Sequence, residues 1–243
     1  MLRLLAFAVF FIGFYIYSAV MLPVTYFMAK SNKEKADRLS LNIVRGALRM
    51  VSFIAGVRLT IKGKEYISKD EPVLYVGNHR SFFDIVVLYP LLPYPATFVA
   101  KQSLLKFPVI GNWLSRVNGL ALDRKNNREA LKTILKGIEY LKNDTSVVIF
   151  PEGTRCKEPE GNLMEFKEGS FKLATKSKRK IVPVAITGTS QIFEDHMPFV
   201  HSSKVVLEFL PPVDTAEMSK EEMTGIGERV REQILEIIKK NIG

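Results

Sequence analysis

Val73-Leu-Tyr-Val-Gly-Asn-His-Arg-Ser-Phe-Phe-Asp84 carries the chain from a four-residue apolar run, through a glycine, into a polar segment and out into the apolar positions Ile85, Val86 and Leu88. A short apolar run bounded by turn residues reads as a buried strand, and Ser81 offers a hydroxyl to cap the helix that follows, which includes Phe82. Strand, loop and helix in that order predict an α/β unit. Functional side chains of such units gather in the loops at strand ends. The loop here holds His79, one of three histidines in 243 residues.

The same alternation recurs from Gly56 onward. Strands are expected at residues 57–61, 73–76, 97–100, 119–122, 146–150, 181–186 and 204–209, with helices in the intervals. The clearest helices are 128–141 and 221–241. In the second, Ile226, Val230, Ile234, Ile237 and Ile238 share one face and charged residues the other. The expected fold class is α/β, a mixed central β-sheet flanked by helices and preceded by an N-terminal membrane-associated helix pair. No linker or repeat divides the chain, so the expected organisation is a catalytic domain, residues 56–243, behind membrane-embedding helices, residues 1–55.

Composition narrows the partners. With 35 Lys+Arg against 25 Asp+Glu, the formal charge of +10 favours nucleic acid, an acidic membrane or a phosphorylated substrate. Residues 4–29 choose among these, because they carry no charged side chain and include Phe7, Phe10, Phe11, Phe14, Tyr15, Tyr17, Tyr26 and Phe27. A helix over residues 4–22 would extend about 28 Å, close to the ~30 Å hydrocarbon thickness of a bilayer. Pro23 is expected to end or kink it. Lys30, Lys33, Lys35 and Arg38 then favour a catalytic domain on the cytoplasmic face, at the inner membrane if the cell is bacterial. A cleaved signal peptide is the competing reading, opposed by the long apolar stretch, a lone Arg3 before it and the lack of an A-x-A site closing it.

A second helix is expected at 33–55, with Ala36, Ile43, Val44, Ala47, Leu48, Val51 and Ile54 along one face and Arg38, Asn42, Arg45 and Arg49 in a separate stripe. Two placements fit. The helix lies at an anionic bilayer surface, the pair dipping into one leaflet, or it packs on the domain with a solvated basic face.

Asp84 falls in the first turn of the helix after His79, facing back toward the loop. A carboxylate there accepts the proton of one imidazole nitrogen, fixes the tautomer and leaves the other nitrogen as a general base. The plainer alternative is that His79 caps a turn and Asp84 favours the helix dipole. A second loop, Phe150-Pro-Glu-Gly-Thr-Arg155, follows the apolar run Val147-Val-Ile149. Gly153 opens a turn conformation closed to most residues, and Arg155 presents a planar fork suited to phosphate. Here too a plain turn, with Glu152 merely neutralising Arg155, is the alternative.

Together NHRSFFD and FPEGTR resemble the H-x-x-x-x-D and F-P-E-G-T-R boxes of the glycerolipid acyltransferases, in particular the branch acting on 1-acylglycerol 3-phosphate. Gly119-Leu-Ala-Leu-Asp-Arg124 is similar to the family's box ending in Asp-Arg, and Ile181-Val-Pro-Val-Ala-Ile186 to its valine-proline box. These four boxes, in family order, span residues 78–186. Lys101-Gln-Ser-Leu104, with Pro108 and Gly111, resembles the family's lysine segment, except that Ser103 stands where a glutamate is common.

The resemblance implies a transferase. His79, oriented by Asp84, would deprotonate the sn-2 hydroxyl of lysophosphatidic acid, which attacks a fatty acyl thioester of coenzyme A or acyl-carrier protein and gives phosphatidic acid for phospholipid synthesis. No cofactor is required. Arg124 and Arg155 would clamp the acceptor phosphate, with Glu152, Gly153 and Thr154 shaping its site. Lys101 is a candidate oxyanion donor, or simply a solvent-facing lysine. The same boxes acting on glycerol 3-phosphate or another lysophospholipid, and a non-catalytic membrane protein that binds anionic lipid, stay open as alternatives.

Other residues invite plainer readings. Cys156 has no histidine neighbour in sequence and is expected to be incidental. His196, His201 and Asp195 lack a supporting metal motif, so no metal is expected. The run Lys172, Lys176, Lys178, Arg179 and Lys180 reads as a solvated helix end or a patch for an anionic lipid or acidic carrier. It lacks interleaved aromatics, which disfavours nucleic acid.

Overall fold

A computed structural model of the chain describes residues 2–93 and 95–242. Helices α1 (Leu2–Ser31) and α2 (Lys33–Ala55) form a hairpin joined at Asn32, whose side chain caps α2 by accepting the Lys35 N–H at 2.9 Å. Beyond them come β1 (Arg58–Lys62), β2 (Leu74–Gly77), α3 (Phe83–Leu88), β3 (Ala96–Lys101), α4 (Pro108–Arg116), β4 (Leu120–Leu122) and α5 (Asn127–Lys142). The chain continues through β5 (Ser146–Ile149), α6 (Lys172–Ser177), β6 (Ile181–Thr187), β7 (Lys204–Phe209), α7 (Lys220–Met223) and α8 (Ile226–Ile242). The strands fall within a residue of those the sequence predicts.

The seven strands form one mixed sheet in the order β1-β7-β6-β2-β5-β3-β4, with β6 and β7 antiparallel and every other neighbour parallel. Side chains alternate across it with the period of two that a strand imposes. Leu74 and Val76 join Val147, Ile149 and Ala185 against Leu141 of α5, Leu173 of α6 and Val230 and Ile234 of α8. Tyr75 points the other way, with Val148, Val182 and Ile186, against Val86 and Val87 of α3 and Leu41 and Ala55 of α2. Both faces are therefore covered, as a largely parallel sheet requires. Because β2, β5, β3 and β4 run parallel, their C-terminal ends share one edge, where open α/β sheets hold their ligands.

Two local expectations are corrected, and of the two outcomes expected at Pro23, an end or a kink, the end is excluded. Helix α1 runs through Pro23 to Ser31. An interior proline costs a helix about 3 kcal/mol, but packing holds α1 on both sides of it. Trp113 of α4 donates its indole N–H to Ser18 Oγ at 2.9 Å, and the Arg116 guanidinium lies 5.3 Å from the Tyr26 ring. The C-terminal helix is broken in two. Ser219 and Glu222 make a reciprocal capping box that starts the four-residue α7, and Gly225 at φ +71 turns the chain before α8. The basic stripe of α2, finally, is partly turned inward: Arg45 donates to the Leu92 carbonyl and Arg49 to the Pro90 carbonyl at 3.0 Å. These arginines pin α2 to the segment after α3.

Candidate active site

β2 ends at Gly77, and the loop that follows is anchored at once. Asn78 exchanges two hydrogen bonds with the Ile186 backbone of β6, at 2.8 and 2.9 Å. His79 and Asp84 come together as their spacing predicts: His79 Nδ1 lies 2.7 Å from Asp84 Oδ2. That oxygen also accepts the backbone N–H of Arg80 at 2.7 Å and of Ser81 at 2.8 Å, and Oδ1 accepts the Thr189 hydroxyl at 2.6 Å. Asp84 is fully buried. An oxygen already serving two N–H donors acts as acceptor toward the ring too. Neutral His79 therefore carries its proton on Nδ1 and keeps a lone pair on Nε2. No described residue hydrogen-bonds Nε2.

The imidazole stacks on Phe150, ring centroids 4.6 Å apart and nearly parallel. The stacking needs a glycine beneath it, because a Cβ at Gly77 would meet the Phe150 ring at 3.0 Å. Helix α3 begins at Phe83, one residue later than the sequence suggests. Ser81 still performs the capping role, its Oγ accepting the Phe83 N–H at 2.9 Å.

The loop after β5 closes over the histidine. Glu152 is buried, and each of its oxygens takes one backbone N–H, that of His79 at 2.7 Å and that of Met164 at 3.0 Å. Burial pushes its carboxyl above the ordinary value, opposed by those two donors. Glu152 thus ties the two boxes together through the backbone and leaves Arg155 alone. Gly153 sits at φ +71, the left-handed turn expected of it, and Thr154 is exposed.

Arg155 pairs with a residue the sequence reading passed over: its Nη1 lies 2.8 Å from Glu194 Oε1, and its guanidinium carbon 4.1 Å from the Phe82 ring centroid. Glu194 and Thr189 both lie in the segment after β6, where the only sequence signal is a cluster of polar residues following a buried strand. Arg80 was likewise missed. It is buried, and donates to the Asn162 and Glu158 carbonyls, holding residues 158–162 against the histidine loop.

Lys101 ends β3 and Arg124 follows β4, both at the edge that carries His79 and Glu152, on adjacent strands paired Lys101↔Leu122. Neither side chain hydrogen-bonds or ion-pairs with a described residue. Cys156 is buried, and its backbone N–H donates to the His79 carbonyl at 2.8 Å. His196 and His201 lie exposed with ring centroids 4.2 Å apart, and no cluster of three or more His, Cys, Asp or Glu residues is placed to hold a metal ion among the described residues.

The chain is similar to known proteins. A family model described as Acyltransferase matches residues 58–187, more than half of the chain and all four boxes. The chain belongs to the acyltransferase family. It is 31% identical over 192 residues to a 1-acyl-sn-glycerol-3-phosphate acyltransferase of Saccharomyces cerevisiae, a match covering 79% of this chain and 63% of that one. It is 29% identical to the protein of that name from Borreliella burgdorferi, across 82% of this chain and 78% of the relative. The crystal structure of PlsC, a 1-acyl-sn-glycerophosphate (LPA) acyltransferase from Thermotoga maritima, superposes with a TM-score of 0.78 at 26% identity, covering 99% of this chain and 98% of the other.

Proposed function

We propose that the chain transfers a fatty acyl group from an acyl thioester to the sn-2 hydroxyl of 1-acylglycerol 3-phosphate, forming phosphatidic acid. The observation that carries this reading is an imidazole whose Nδ1 is fixed by a buried, four-fold hydrogen-bonded carboxylate and whose Nε2 is open, with two arginines at the same sheet edge. The relatives' names point to the same acceptor.

In this mechanism His79 Nε2 takes the proton of the acceptor hydroxyl as its oxygen attacks the thioester carbonyl. Asp84 stabilises the imidazolium that forms. The tetrahedral intermediate collapses with cleavage of the carbon–sulfur bond, and the thiolate leaves, drawing the proton back from His79. Thiols ionise far more readily than alcohols, so the leaving group needs little help. No acyl-enzyme is invoked, since no side-chain nucleophile hydrogen-bonds His79 among the described residues and the Ser81 hydroxyl donates to Glu194 at 2.6 Å.

Arg124 and Arg155 bind the acceptor phosphate, where charge-assisted hydrogen bonds are worth roughly 1.5–3 kcal/mol each. Glu152, Gly153 and Thr154 form the turn that shapes that site, and Lys101 faces the developing oxyanion. The donor is acyl-coenzyme A or acyl-carrier protein. Helices α1 and α2 bring the site to the cytoplasmic face of a membrane, where the lipid acceptor resides. Helix α1 is long and apolar enough to cross a bilayer, and most of its apolar side chains are exposed.

The test is thiol release from a fatty acyl thioester by the detergent-purified protein, with lysophosphatidic acid, glycerol 3-phosphate and lysophosphatidylcholine supplied in parallel. Release that depends on lysophosphatidic acid, with phosphatidic acid as product, is the expected result. Release with a different acceptor moves the substrate. No release with either thioester donor rejects the transferase reading.

A further inference from the structure

In the segment between β6 and β7, one side chain joins both boxes. Glu194 Oε2 accepts the Ser81 hydroxyl at 2.6 Å, and Oε1 accepts the Phe82 backbone N–H at 2.9 Å and Arg155 Nη1 at 2.8 Å. Ser81 and Phe82 belong to the loop that carries His79, and Arg155 to the loop after β5. On its other side the Arg155 guanidinium lies over the Phe82 ring at 4.1 Å. One ion pair and one ring contact therefore fix the plane of the guanidinium. A carboxylate takes one nitrogen, and no described residue hydrogen-bonds the other two.

An arginine held in this way has lost its rotamer freedom before any ligand arrives. Ordering a long side chain on binding costs conformational entropy, and a fixed fork avoids that cost. Next door, Asp195 Oδ2 accepts the Ser190 hydroxyl at 2.8 Å, which steadies the turn presenting Glu194. We propose that Glu194 is a positioning residue, holding Arg155 with its free nitrogens ready for the phosphate of the acceptor. This rests on Arg155 binding that phosphate, as argued above.

Steady-state kinetics of Glu194→Ala, Glu194→Gln, Arg155→Ala and the Arg155/Glu194 double alanine variant test it, with acceptor and donor varied separately. Glu194→Ala is expected to raise acceptor KM about tenfold while kcat and donor KM stay within about threefold, the pattern of lost ground-state binding. Glu194→Gln, whose amide oxygen still accepts from Arg155, should recover part of the loss. The double variant should be no worse than Arg155→Ala alone, since Glu194 acts through that side chain.

An unchanged acceptor KM in Glu194→Ala overturns the proposal, as does a lowered one, which would make Glu194 a competitor of the phosphate. Losses that simply add in the double variant, or a fall in kcat alone, overturn it too. Should the alanine variant fold poorly, Glu194→Gln with and without Arg155→Ala decides by the same criteria. If Arg155→Ala leaves acceptor KM unchanged, the phosphate role of Arg155 fails first. If only the Glu194 variants are silent, that role stands and the positioning role alone is lost.

Discussion

Four hydrogen bonds converge on Asp84, three of them on one oxygen. An asparagine offers one oxygen and two N–H groups in the same space, so at least one backbone or ring N–H would then face another donor. Asp84→Asn should consequently lower kcat by at least ~100-fold, within the ~100- to 10,000-fold range that general-base catalysis supplies. His79→Ala should cost as much, while lysophosphatidic acid binding measured separately survives in both. Full turnover by His79→Ala would exclude His79 as the base, and full turnover by Asp84→Asn would remove the orienting role of Asp84. Thr189→Val removes a single hydroxyl from the fully buried carboxylate and should lower stability by about 1–3 kcal/mol, read as a shifted denaturant midpoint. An unchanged midpoint would mean that this hydrogen bond contributes nothing. The His79–Asp84 pair was legible in the sequence because its members lie only five positions apart. Thr189 and Glu194 lie 105 residues from Asp84 and 113 from Ser81, and only the sheet order β6-β2-β5 brings them in.

At the scale of elements, local pattern and tertiary contact divide what could be read. Strand positions followed from apolar runs bounded by turn residues, and the flanking helices from the intervals between them. Periodicity assigned the two faces of α2 but could not say what each face meets. Arg45 and Arg49, equally suited to a bilayer surface, instead satisfy carbonyls at Leu92 and Pro90. Partial burial lowers the Arg45 pKa, the cost of drawing a guanidinium away from water. Arg49→Ala should lower the melting temperature through loss of a hydrogen bond from a charged donor, worth about 1.5–3 kcal/mol, and leave binding to anionic vesicles unchanged. Weakened vesicle binding at an unaltered melting temperature would restore the bilayer-facing reading of the stripe. Pro23 teaches the same lesson. Its propensity argues for a helix end, and contacts more than eighty residues away in sequence, at Trp113 and Arg116, keep the helix whole.

For the whole molecule, the decisive relation is between α1 and the domain it serves. At 30 residues α1 is about 45 Å long, well beyond the ~30 Å hydrocarbon core. It does not project from the domain. Phe7 packs on the core that includes α2 and α3, Ser18 and Phe14 meet Trp113, and Tyr26 meets Arg116, so the domain lies against both halves of the helix. A perpendicular span would draw α4, with Ser115 and Arg116, into hydrocarbon, where a central arginine costs at least ~2.5 kcal/mol. The opposite face of α1 remains apolar and exposed through Val9, Ile12, Ile16, Val20 and Phe27. We propose that this face is immersed in one leaflet, a placement that satisfies both constraints. Two outcomes follow from this placement. Ile12→Asp with Ile16→Asp should release the protein from vesicles while leaving turnover of detergent-dispersed acceptor within a few-fold, because neither side chain approaches His79. Tags placed before Leu2 and after Ile242 should be cleaved from the same side of sealed vesicles; protection of one and cleavage of the other would show that α1 crosses, and the packing of α4 against it would then have to open in the membrane.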